Sequence, residues 1–190
     1  NDLWTINSLT GEVTQIANKN GIETVNDFFS YKVAVSVQKK YGNADFITSH
    51  NTCAHIDNLI DVIMGVEFLL KNNGVFVLEV GYFVDVYTNT WFDTIYHEHL
   101  DFHTVAPFEK LFARVGMEII RVERVSPQGG SIRIMAQKND GNFKRDESVD
   151  SLIAVERKLE LNKLQTLLKF DKKINTVKFS LQKLLHKIKE

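Results

Sequence analysis

Tyr96-His97-Glu98-His99 is the run with the most chemical capacity in this chain. A phenol, a carboxylate and two imidazoles stand within four positions. Five of the six histidines lie between His50 and His103, and His97, His99 and His103 crowd together. Imidazole changes charge near neutral pH, and a carboxylate or phenol beside it can orient it or relay its proton. Just past the apolar stretch Val75-Phe76-Val77-Leu78-Glu79-Val80, these groups suit proton transfer at the end of a strand. The same composition also suits a solvated loop, so the run gains meaning only from the elements that place it.

Those elements alternate between helical and strand-like patterns over residues 1–140. Glu12 to Asn20 reads as a helix stopped by Gly21, and Ile22 to Val25 as a short strand leading to Asn26-Asp27-Phe28-Phe29. Ser30 can cap a helix that runs to Tyr41 and stops at Gly42. Ala44 to Thr48 reads as a strand. Ile56 to Leu70 is a helix with Leu59, Ile63, Val66 and Leu70 on one face. Val75 to Val80, apolar at nearly every position, suits a strand covered on both sides. Pro107 to Val115 is a helix ended by Gly116. Met117 to Val125 and Ser131 to Gln137 are strands joined by Ser126-Pro127-Gln128-Gly129-Gly130, a hairpin-like antiparallel pair. The order implies an α/β doubly wound sheet with an antiparallel last strand. In such sheets ligands bind beyond the carboxyl ends of the strands. Asn26-Asp27-Phe28, Ser49-His50-Asn51 and Gly81-Tyr82 should therefore line one crevice, with Tyr96 to His103 folded over it.

Residues 141–150 are polar and read as a linker. From about Asp150 the sequence is helical to its end, without Gly or Pro. Leu167, Phe170, Ile174, Val177, Leu181, Leu184 and Ile188 form a heptad-like seam with lysines on the other face. The expectation is a C-terminal helical extension, 151–190, that docks on its own domain or a neighbour. A coiled-coil dimer or a membrane-surface helix are the alternatives.

Composition narrows the classes. The formal net charge is −1 over 190 residues, which gives no strong electrostatic pull on nucleic acid. The single cysteine, Cys53, excludes an internal disulfide and a cysteine-rich zinc site, and fits a reducing, cytoplasmic setting. No apolar run has the roughly 20 residues that span a bilayer. Asn1-Asp2-Leu3-Trp4 does not have the pattern of a signal peptide.

Three runs together carry a resemblance. Glu79-Val80-Gly81-Tyr82, Phe92-Asp93-Thr94-Ile95-Tyr96-His97-Glu98-His99-Leu100 and Gln128-Gly129-Gly130-Ser131-Ile132-Arg133, in this order, resemble the S-adenosyl-L-methionine-dependent sugar C-methyltransferases, which act on nucleotide-linked 4-keto deoxysugars. Asn18 to Thr24, Asn26 to Phe29 and Asn51-Thr52-Cys53-Ala54-His55-Ile56 match the same family in order and spacing. The likeness covers residues 12–137. It implies a partial Rossmann-like methyltransferase domain over 1–140 and S-adenosylmethionine as cofactor. It also implies His99 as the base beside the ketone, with Glu98, Tyr96 and His55 as its catalytic neighbours. Asp27, Phe28 and Asn51 are implied on the cofactor side, and Tyr82, Gln128, Gly130 and Ser131 on the substrate side. No Gly-rich loop of the family's kind is present, Asn7-Ser8-Leu9 stands where an acid is usual, and the family's flanking domains have no counterpart. The expectation is the middle of a larger enzyme, cut at both ends.

The chemistry stands without the resemblance. Methylating carbon requires a carbanion equivalent, which a ketone yields when a base removes the neighbouring proton. The enolate oxygen then needs a donor, and the methyl carbon must lie in line. Two rival readings remain beside it. One is a metal site from His97, His99 and His103, although their spacing is not that of the zinc-protease helix. The other is a catalytically incomplete or degenerate module whose long helix serves assembly.

Overall fold

The computed structural model describes residues 4–6 and 11–189; the reading of Asn7-Ser8-Leu9 lies outside the described residues. Two parallel strands, β1 (Trp4–Ile6) and β2 (Glu23–Val25), are joined through helix α1 (Gly11–Lys19) and form a small sheet. A second sheet of four strands has the order β3 (Ala44–His50), β4 (Leu70–Gly81), β6 (Ser131–Lys138), β5 (Met117–Val125). β3 and β4 run parallel, while β6 is antiparallel to both β4 and β5. The expected α/β sheet with a reversed last strand is thus the observed one.

Local signals account for much of this. Ser30 caps α2 (Tyr31–Tyr41) by accepting from the Val33 N–H, and α2 stops at Gly42, whose φ of 79° is left-handed. Helix α3 (Leu59–Leu69) runs straight into β4, and α2 packs on α3. On β4 the alternate residues Phe76, Leu78 and Val80 point into the core beside Ala136, Ile134 and Ile132 of β6, their register partners. Ile119 and Val122 of β5 extend the row. Ile63 and Val66 of α3, with Phe108 and Phe112 of α5 (Val105–Ala113), help cover it. Each such side chain, removed from water, contributes about 1.5–3 kcal/mol.

The C-terminal third departs from a linker followed by one helix. The polar stretch 141–150 already contains the start of α6 (Glu147–Lys158), which Asp146 caps through the Ser148 N–H. Val149 is wholly buried, and α6 packs on β5 and α5. The helix then breaks before α7 (Leu164–Lys189). Glu160 turns left-handed, with φ 55°, and Leu159 and Leu161 pack against the core. Burial, not Gly or Pro, ends α6. On α7, Phe170 docks against Phe83 and Tyr87 of α4 (Phe83–Asn89), whereas Leu181, Leu184 and Ile188 of the seam are exposed. No helix among the described residues is long and apolar enough to cross a membrane.

Candidate functional site

A shallow, open cleft lies beyond the carboxyl ends of β3 and β4. Asn51, Ala54 and His55 come from the loop after β3, and Val80 and Gly81 from the end of β4. Val86 and Trp91 follow on α4 and after it. Thr94, His99, Asp101 and Phe102 come from the next segment, and Gln128 and Gly130 from the β5–β6 turn.

The His segment is pinned by backbone hydrogen bonds. Leu100 N–H donates to the Ala54 carbonyl at 2.8 Å and Asp101 N–H to the same oxygen at 3.4 Å. At its far end the segment forms a bridge between His103 and Tyr82, and Phe83 N–H donates to the His103 carbonyl at 3.0 Å. These contacts draw His99 beside His55, with ring centroids 4.9 Å apart.

The same backbone sets the tautomers. His99 Nδ1 lies 2.8 Å from the Thr94 carbonyl, and His55 Nδ1 lies 2.7 Å from the Glu98 carbonyl. A carbonyl only accepts, so each Nδ1 carries the proton, and in the neutral ring each Nε2 keeps a free lone pair. Tyr96 Oη stands 3.2 Å from His99 Nε2 and donates to it. A fixed imidazole with an unprotonated Nε2 and a phenol beside it is the arrangement a general base requires. Glu98 serves here through its carbonyl, and its side chain is exposed.

The other expected residues are placed as follows. Asn51, His55, His99, Gln128 and Gly130 line the cleft together. Asn51 has a left-handed φ of 51° and a buried, unpartnered Oδ1. Asp27 and Phe28 do not line this cleft. Asp27 accepts from the Phe28 N–H at 2.8 Å and borders a separate depression with Lys32 and Lys40, and the Phe28 ring is 72% exposed. Ser131 is buried and donates to the Pro127 carbonyl at 3.0 Å. Tyr82 is wholly buried in the core, so its side chain does not reach the cleft. Its hydroxyl donates to Glu156 Oε1 at 2.9 Å. Burial, followed by the Glu156 carboxylate, holds that phenol protonated far above its usual range. Among the described residues no group of three or more His, Cys, Asp or Glu is arranged to hold a metal ion.

Two of the motif runs meet in the sheet. Glu79 and Arg133 are register partners on β4 and β6, and their side chains pair at 2.7 Å. Trp91 and Phe102 lie outside the runs that carry the resemblance, and Thr94 stands within one without a role of its own. Thr94 acts through its carbonyl, an atom every residue carries, and the two aromatics had no motif.

A family model described as "C-methyltransferase C-terminal domain" matches residues 126–190. C-methyltransferase NovU of Streptomyces niveus is 31% identical over 142 residues, which cover 75% of this chain and 34% of that protein. The chain therefore spans about a third of the length of this curated relative. A solved S-adenosylmethionine-dependent methyltransferase from Anabaena variabilis superposes with a TM-score of 0.53 at 12% identity, covering 71% of this chain and 67% of that one. The 1,6-didemethyltoxoflavin-N1-methyltransferase of Burkholderia thailandensis, solved with S-adenosylhomocysteine, gives 0.50 at 14%, covering 73% and 62%. These solved chains establish a Rossmann-like methyltransferase fold.

Proposed function

We propose that the chain is part of a C-methyltransferase that moves a methyl group from S-adenosylmethionine to the carbon beside the ketone of a nucleotide-linked deoxysugar, a reading supported by the family model over residues 126–190 and the 31% identity to a C-methyltransferase. The observation that carries the reading is His99: its Nδ1 is tied to the Thr94 carbonyl, and its unprotonated Nε2, paired only with the Tyr96 phenol, can take a proton at the wall of the cleft. The C–H bond beside the ketone breaks, its proton goes to His99 Nε2, and its electron pair forms the enolate. Once Nε2 is protonated it no longer accepts from Tyr96, so the phenol can turn its proton to the enolate oxygen. His55 stands beside this pair with its own unprotonated Nε2 as a second proton acceptor or relay. Ala54, Val80, Val86, Trp91 and Phe102 make an apolar wall that limits water at the reacting carbon.

The cofactor, when bound, supplies the electrophilic methyl group. The unpartnered Asn51 Oδ1 at the cleft is an acceptor that suits its amino group. Gln128 and Gly130 form the substrate side, whereas the buried Ser131 only holds the turn through Pro127. Calorimetric titration with S-adenosylhomocysteine tests the cofactor assignment. Micromolar binding is expected; a folded chain that takes up none would remove it.

A second reading, assembly through α7, is favoured by the exposed row Leu181, Leu184 and Ile188. It predicts that removing residues from Val177 onward turns a multimer into a monomer by light scattering. The cut lies beyond Phe170, which packs on Phe83 and Tyr87.

A further inference from the structure

The turn between β5 and β6 holds a glutamine in a conformation that glycine takes freely. Gln128 has φ 54° and ψ 29°, in the left-handed region. The two residues that follow it are glycines for a visible reason. A Cβ on Gly129 would come within 3.1 Å of the Trp91 ring, and one on Gly130 would run into the Asp85 carboxylate. Of these three positions, 128 is the one with room for a side chain.

The turn's polar groups are mostly engaged with the protein. Gly130 N–H donates to the Pro127 carbonyl at 3.1 Å, and the Gly130 carbonyl accepts from the Tyr82 N–H at 3.1 Å. The Ser131 hydroxyl also donates to Pro127. The Gln128 carboxamide is exposed, lines the cleft and has no hydrogen-bond partner among the described residues. A strained residue persists where its surroundings impose it, and such residues gather at ligand sites.

We propose that Gln128 is the specificity-determining residue of the cleft, its carboxamide hydrogen-bonding a hydroxyl or carbonyl group of the sugar ring. A carboxamide both donates and accepts without charge, which matches a neutral ring rather than a diphosphate. Trp91 and Asp85 are positioning residues that act through Gly129 and Gly130. The inference rests on the nucleotide-sugar reading above.

The test compares Gln128→Gly with the unchanged chain. Relief of the left-handed strain should raise Tm by about 2–4 °C. Loss of the amide should weaken binding of uridine- and thymidine-diphosphate glucose, followed by ligand-observed NMR, roughly 3- to 10-fold. Affinity for S-adenosylhomocysteine should stay within about twofold, since no phosphate or cofactor contact is removed. Unchanged sugar binding, or a Tm that does not rise, overturns the proposal. If the unchanged chain binds neither sugar nucleotide, the proposal falls together with the substrate reading, and the S-adenosylhomocysteine titration then shows whether the cofactor reading survives. Trp91→Leu completes the cycle. It should weaken sugar binding in the Gln128 background and not in the Gln128→Gly background, whereas a purely structural or direct role would weaken both equally.

Discussion

Two tyrosine-centred polar clusters stand at the two ends of the His segment, Tyr96 within its start and Tyr82 bridged to His103. Around Tyr82 the phenol and the backbone N–H groups of Val105 and Ala106 all converge on the Glu156 carboxylate, at 2.9, 2.7 and 3.0 Å. Tyr82 is wholly buried and Glu156 is 5% exposed. Thr104 makes no side-chain cap for α5, and Glu156 from α6 satisfies the helix start instead. Around Tyr96 the phenol is 45% exposed, and its partner His99 is half-buried at the cleft wall. The first cluster uses every donor to tie elements together. The second pairs an unprotonated imidazole nitrogen only with an exposed phenol that can turn away. A closed polar cluster holds a fold, and an open one can hold a reaction.

Substitutions can break this contrast. In a turnover-competent enzyme, His99→Ala should cut exchange of the proton beside the ketone at least about 100-fold. Its Tm should move little, because an exposed-edge imidazole is removed. Deuterium uptake by the substrate reads the first quantity and calorimetry the second; normal exchange would remove His99 from the role of base. Glu156→Ala should do the reverse. It strands a phenol and two N–H groups, at a cost of about 3 kcal/mol in urea unfolding. Glu156→Gln should recover part of that loss.

The mirrored pair Tyr96→Phe and Tyr82→Phe sharpens the comparison. Tyr96→Phe should slow exchange about 10-fold with stability within roughly 0.5 kcal/mol. Tyr82→Phe should cost about 1 kcal/mol of stability because it removes one of three donors to a carboxylate. Equal effects of the two on stability would erase the distinction between the clusters.

The smallest effect belongs to His103, which sits between them. Burial lowers its affinity for a proton, opposed by Asp101 and by a hydrogen bond to the Cys53 backbone. Below about 6.5, its ordinary value, the unfolded chain binds that proton more readily than the folded one. Stability from a neutral His103 is present above that pH and is lost as the pH falls toward the folded value. His103→Gln should flatten the decline of Tm between pH 7 and pH 5.5; an identical decline in the variant would assign it to other groups.

The sequence carried the sheet well because its signals were local. Val75 to Val80, the Ser30 cap and the Gly-Gly turn each act within a few residues. Tyr82 shows the limit. Its neighbour Gly81 lines the cleft, but its own hydroxyl partner, Glu156, lies 74 positions away, a distance at which no spacing rule applies. The helix break at Glu160 was hidden for a similar reason, since it is imposed by the burial of Leu159 and Leu161. His55 and His99 stood out by type, but their tautomers depend on the carbonyls of Glu98 and Thr94, which leave no mark in a sequence.

The packing of Trp91 over Gly129 has an optical consequence. The protein has two tryptophans, Trp4 and Trp91. With Trp4 replaced by phenylalanine, all indole emission would come from the lip of the cleft. Its wavelength and intensity would then follow the filling of that space in real time, without a label or a coupled assay.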